Sequence, residues 1–359
     1  MGTDFVALLD GSVPAALTSL LALPADELRR AGQDYGFRAE LAAASQDLAD
    51  RAYGLRHRPA LRELHATLAL IYDQDFSGTP ITDVERDTQP VLRDVAAVLE
   101  HAVLSHETGR VPAGDLTGHP ETGREFVRWL KAMVTAHPAG RHPLYHEHLV
   151  ERGTPEDMRL LLAQETNLDP RFDDILAAMQ IGRHGVEKME IAANYWDEMG
   201  NGDPAQVHTA LFSQALAAVG ADARYIAETF LLEASVSGNI SAMLALSRRH
   251  YYKAVGYFGV TEYLAPRRFR CVVDAWRAHG LDEVGIVYHD LHIGVDAGHA
   301  AGWFKNVVRP LVDSDPRIGR EIALGAAIRL NTSQDYLDAL LLRMRAGSAA
   351  EPIAVPTGG

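Results

Sequence analysis

The chain has 359 residues, 47% of them hydrophobic, with 48 acidic against 34 basic side chains and a formal net charge of −14. That negative surplus opposes nucleic acid or an anionic membrane surface as a partner. A lone cysteine, Cys271, allows no internal disulfide and no thiolate cage, so a metal site must draw on carboxylates and the sixteen histidines. There is no run of eighteen uncharged apolar residues, and the opening MGTDFVALLDGSV has no basic leader segment. Neither a membrane span nor a signal peptide is expected, which leaves the cytoplasm by default.

Apolar residues recur at three- and four-residue spacing almost throughout, and alternating Val, Ile and Thr runs are nearly absent, so the fold class is predicted to be all-α. Residues 1–107 form an N-terminal helical region, in which SQDLADRAYGLRHRPALRELHATLALIYDQ and QPVLRDVAAVLEHAVLSHE read as amphipathic helices. This region carries no ligand pattern, and its apolar faces serve core packing or the contact of a homodimer. The Gly-, Pro- and Thr-rich stretch TGRVPAGDLTGHPETG marks a connector at residues 108–123. The main domain is expected at residues 124–345.

Early in that domain HPLYHEH clusters His142, His146 and His148, and its Pro-broken context reads as a loop and helix start rather than a ligand set. Thr154 and Pro155 then cap the helix of TPEDMRLLLAQET. A long helix is predicted from about Asp173 to Met199 and another from near Pro204 to about Val219. Further helices are predicted at residues 222–235, 238–258, 266–279, 283–309 and 317–345. Cys271 falls on an apolar helix face and reads as a small buried hydrophobe. The tail AGSAAEPIAVPTGG, residues 346–359, is expected to be disordered.

Three stretches carry chemistry. In GIVYHDLHIGVDAGHAAGWFKNVVRP, His292, Asp296 and His299 stand at i, i+4 and i+7, one stripe of a helix presenting two imidazoles and a carboxylate. In NYWDEMGNGDPAQVH, Glu198 ends one helix and His208 opens the next, so a helix–turn–helix corner can bring both side chains together. The Gly200-Asn201-Gly202 run follows a helix and not a strand, which rejects a phosphate loop. Glu165, in LLLAQETNLD, supplies a third carboxylate, with Glu187 and Glu190 as rivals. Three carboxylates and three imidazoles suit two iron or manganese ions, whereas a single zinc needs only three or four ligands. Around them, His289 lies one turn before His292 as a supporting residue. Glu262 in VTEYLAP either faces the metals or ends a helix. Arg248 and Tyr251 are candidates to line a substrate cavity, the arginine to hold a carboxylate. Asp197 reads as a surface residue.

These motifs together resemble the haem-oxygenase-like di-iron oxidases, often labelled iron-containing redox enzymes. The matching residues are Glu165, then Glu198 and His208 across the Gly-rich turn, then His292-Ile-Gly-Val-Asp296-Ala-Gly-His299, with GYFGVTEYLAP in support. The likeness covers about residues 140–315; the ferritin-type ExxH motif and HExxH are both absent. The resemblance implies a seven-helix haem-oxygenase-like bundle, here with an N-terminal helical extension. It implies two Fe ions held by Glu165, Glu198, His208, His292, Asp296 and His299, no haem, O2 as co-substrate, and an external reductant or reductase. The favoured activity is N-oxygenation of a primary amine or guanidine on a small metabolite. The alternatives are oxidative C–C cleavage or desaturation of an amino or fatty acid, or a helical protein that binds a metal or partner without catalysis.

Overall fold

The computed structural model describes residues 5–78 and 89–348, and every regular element among them is helical. The chain divides into two compact units, one of Met1–Thr117 with Gly238–His250, the other of Gly118–Ser237 with Tyr251–Gly359. No single helix is long and apolar enough to cross a membrane.

In the first unit the helices are α1 (Val13–Leu21), α2 (Ala25–Gln33), α3 (Tyr35–Ala49), α4 (Arg58–Phe76) and α5 (Pro90–Gly109). Proline stands in the first turn of α1, α4 and α5, where its missing N–H removes no helical bond. The Asp34 side chain caps α3 by accepting the Phe37 N–H at 3.0 Å. Leu64, Leu68 and Ile71 of α4 are buried together with Leu92, Val95 and Leu99 of α5, each at helical spacing. Each such side chain stabilises the fold by about 1.5–3 kcal/mol before chain entropy is counted. Arg38 and Asp94 join α3 to α5 through a two-pronged ion pair, at 2.6 and 3.1 Å.

The second unit holds α6 (Gly123–Ala136), α7 (Pro155–Glu165), α8 (Phe172–Met179), α9 (Gly185–Glu198), α10 (His208–Ala218) and α11 (Ala223–Thr229). After α12 (Leu232–Leu246) come α13 (Tyr251–Ala278), α14 (Glu283–Gly302), α15 (Arg309–Ser314) and α16 (Arg317–Ser348). α13 is the spine, packed against both α14 and α16. Its approach to α16 relies on Gly256 and Gly325, where a methyl group would run into the opposing backbone at Ile322 and Lys253. Trp276 and Trp303 are fully buried around it.

Several predicted boundaries move. The helix expected from 173 to 199 is broken into α8 and α9, with Gly182 and Gly185 at φ +77° and +64° turning the chain between them. Conversely, the break expected before residue 266 is absent: α13 runs through Pro266, which removes only the N–H that the Glu262 carbonyl would accept. The segment expected as one helix over 283–309 widens into a π-helical stretch at Trp303–Val308, where Trp303 Nε1 donates to the Val255 carbonyl at 3.0 Å. The last helix extends to Ser348, past the expected start of the tail; residues 349–359 lie outside the described residues.

Candidate metal centre

α9 ends at Glu198, and the chain turns through Gly200, Asn201 and Gly202, all with positive φ, before α10 opens at His208. At Gly200 a Cβ would sit 2.6 Å from the carbonyl carbon of Gln206, so only glycine lets the turn close this tightly. The closure sets His208 Nδ1 2.8 Å from Glu198 Oε2, with both side chains buried. From α14, His292 adds Nε2 at 3.9 Å from Glu198 Oε1. Its Nδ1–H donates to the Tyr288 carbonyl at 2.6 Å, which leaves the Nε2 lone pair turned to the group. Glu198, His208 and His292 thus form a triad of mutually close donor atoms.

A second triad lies on the same stripe of α14. His299 Nδ1 is 3.7 Å from Glu262 Oε2 of α13 and 3.8 Å from Asp296 Oδ1, and these three also converge. Asp197 Oδ2 lies 3.2 Å from His299 Nε2, a contact that favours the proton on that nitrogen and leaves Nδ1 as the lone-pair donor. Glu198, Glu262, His292 and Asp296 open on one cavity of about 40 Å³, shared by the two triads.

Hydrogen bonding among the side chains does not account for this arrangement. His208 Nδ1, His299 Nδ1 and Glu262 Oε2 are buried and have no hydrogen-bond partner, although carboxylates lie within 4 Å. Donor atoms crowded together yet misaligned for one another are aimed at a shared point between them. The charges agree. Burial, followed by Glu262 and Glu198, pushes the Asp296 carboxyl far above its usual range. Burial disfavours charge on Glu198 too, but the neighbouring His208 and His292 imidazoles hold it down at about 2. His299 is raised: burial opposes its charged form, and Glu262 and Asp197 outweigh it. Several buried carboxylates that cannot all stay ionised unaided are neutralised by cations, and oxygen-plus-imidazole donors suit iron. The residues present therefore fit iron.

Five of the six ligand candidates, Glu198, His208, His292, Asp296 and His299, fall in the two triads. Glu165 stands outside both, its Oε2 3.3 Å from Nε2 of the fully buried His289. Asp169, four residues later, lines the ligand cavity instead. It was missed because Asp before Pro reads as turn chemistry. Glu187 and Glu190, the rivals, pair elsewhere: Glu187 with Arg183 at 3.8 Å, Glu190 with Asn306 at 2.6 Å. Glu262 is placed as a member of the second triad, not a supporting group. Asp197, expected at the surface, is half-buried, with Oδ2 near His299 Nε2 and Oδ1 accepting from Asn201 Nδ2 at 2.6 Å. Arg248 belongs to the other unit, and the ring of Tyr251 lies under Arg183 at 4.4 Å; neither lines the ligand cavity. Sequence pattern alone has no signal for which helix face meets a cavity. His142 and His148 pair with Asp338 and Asp157 at 3.1 and 3.5 Å, away from the triads.

Residues 159–334 match the iron-containing redox enzymes. Among characterised proteins, the chain is similar to the 4-chloro-allylglycine synthase of Streptantibioticus cattleyicolor, 25% identical over 192 residues, which is 53% of this chain and 73% of that protein. The match spans α7 to α16 and contains both triads, and it carries the haem-oxygenase-like all-α architecture with it. Through residues 159–334, about half of its length, the chain is similar to the iron-containing redox enzymes, and it is an enzyme of the oxidoreductase type.

Proposed function

We infer that the protein is a non-haem di-iron oxygenase that uses O2 to modify a small amino-acid-like metabolite. The observation that supports it is the pair of adjoining triads on one cavity, with His208 Nδ1 in the first and Glu262 Oε2 and His299 Nδ1 in the second buried and left without hydrogen-bond partners. Glu198, His208 and His292 would hold one ion, and Glu262, Asp296 and His299 the other, with Asp169 the carboxylate available between them. Iron(II), when bound, supplies the electrons that dioxygen needs to react with a closed-shell organic substrate.

The remaining work falls to the chain. Asp197 and the Tyr288 carbonyl fix the ring tautomers of His299 and His292. Phe269 packs its ring at 5.7 Å from His292 and, with Leu168 and Phe172, keeps the cavity apolar on one side and poor in water. An external reductant returns the electrons, because Cys271 is the only thiol and cannot form a dithiol relay.

Two outcomes remain distinct. N-oxygenation of a primary amine or guanidine is the reading drawn from the sequence motifs. Oxidative cleavage or desaturation of an amino acid is favoured by the name of the similar synthase, whose product is an unsaturated amino acid. The test is an anaerobic iron titration followed by exposure to O2 with candidate amino acids present. About two irons per chain, an O2-dependent absorbance change and a modified product support the reading. One iron or none, or O2 uptake without iron, overturns it. Product mass separates the outcomes: oxygen gained on nitrogen, or carbon or hydrogen lost.

A further inference from the structure

We propose that the substrate of this site is a carboxylate whose head is gripped by Arg268 and Arg329 in a polar cavity beside the triads. This rests on the oxygenase reading for its chemistry but not for its geometry. The inner cavity, of about 70 Å³, is lined by Glu165, Asp169, Thr261, Arg268, Phe269 and Arg329 among others. Asp169, Thr261, Ala265 and Phe269 also line the ligand cavity, so the two adjoin through shared walls.

Arg329 is only 9% exposed, and its Nε donates to Thr261 Oγ1 at 2.8 Å. Arg268 donates through Nη2 to the Ala139 carbonyl and to Ser333 Oγ, at 3.0 and 2.9 Å. Among the described residues neither guanidinium forms an ion pair with a carboxylate. Burial pushes the Arg268 guanidinium down and Arg329 adds to the effect, while Tyr145, Tyr336 and Glu165 oppose it. The two acids in the same lining make no direct ion pair with either guanidinium: Glu165 lies against His289, and Asp169 borders both cavities. Two desolvated guanidinium groups without a carboxylate in direct contact are costly, and a substrate carboxylate offers both the charge and the forked geometry that they match.

A neighbouring cavity carries the same sign. Tyr145 and Arg268 also line an outer cavity of about 370 Å³, with Arg141, His142, His146 and Arg267 around it. None of its lining residues is acidic, although the chain as a whole carries a net charge of −14; Asp338, which pairs with His142, stands just behind. A positive mouth on a negative protein draws anions. The inner cavity has room for a few water molecules, hence for a polar head and not for a long chain. An amino acid would fit with its carboxylate there and its remainder toward the triads; a fatty acid would have to leave its tail in the outer cavity.

The test is anaerobic calorimetry on the iron(II)-loaded protein with the twenty L-amino acids and saturated fatty acids of medium length. Each is run against its decarboxylated amine or its alcohol. At least one carboxylate should bind, and at least about tenfold more tightly than its neutral-headed counterpart. Arg329→Met and Arg268→Met should remove that gap, and Arg329→Lys should restore part of it, with circular dichroism and iron content showing that each variant is folded. Which arm binds tells amino acid from fatty acid. The proposal is overturned if no carboxylate binds, if the counterpart binds equally, or if the gap survives both Met variants. A gap in binding without iron-dependent O2 uptake would sink the oxygenase reading and leave this one standing. O2 uptake stimulated equally by both partners would do the reverse.

Discussion

Buried histidine occurs in both units, and the contrast between them separates structural from functional burial. In the first unit His65 is completely enclosed, and both ring nitrogens are engaged: Asn239 Nδ2 donates to Nδ1 at 3.2 Å, and Nε2 lies 3.0 Å from the Tyr53 hydroxyl. In the second unit His208 is buried and His299 half-buried against carboxylates, yet each keeps one buried nitrogen without a hydrogen-bond partner. A neutral imidazole with both edges satisfied holds a core together. One with an unmet lone pair among unmet carboxylates awaits a cation.

The strongest way to break this contrast is Glu198→Ala. It should lower bound iron and O2-dependent turnover by roughly 100-fold or more while far-UV circular dichroism stays helical. Metal analysis after gel filtration decides it, and full iron content in the variant would mean the first triad is not a ligand set.

Acid gives the next largest effect, and it belongs to the other unit. Burial, with His106 nearby, pushes His65 down from 6.5 to about 3. As pH falls below 6.5 the unfolded chain takes up a proton that the folded one refuses until about 3, so stability is full above that window and declines through it. At pH 5 the loss is about 2 kcal/mol. In His65→Gln the difference in denaturation free energy between pH 7 and pH 5 should shrink by about that amount. An unchanged difference would show that His65 is not the acid-sensitive group.

Asp197→Ala should weaken iron binding about tenfold, since His299 would lose the partner that fixes its tautomer, and Asp197→Asn should recover part of it. A competition titration with a chelator measures both. Smallest is Asp34→Ala, which removes the cap of α3: about 1 kcal/mol of stability should go with no change in iron content. A drop in iron there would blur the distinction between the units.

How far the chain could be read without coordinates follows from the range of each interaction. Helical class, the Glu198–His208 corner and the stripe His292, Asp296 and His299 were legible because periodicity, caps and spacing along one element are local. The continuation of α13 through Pro266 and the break at Gly182 were not, because packing partners distant in sequence decide whether a weak local preference prevails. The same holds at the site. Glu165 and Asp169 are near-equivalent carboxylates in one short stretch, and only the packing of α7 among α10, α13 and α16 sets one against His289 and the other at the ligand cavity. Arg268 and Arg329, on α13 and α16, are unremarkable in the sequence; they matter because those two helices meet with their charged ends enclosed. Which side chains lie along one helix is written in the chain, whereas which side chains from different helices share a space depends on how the helices are packed.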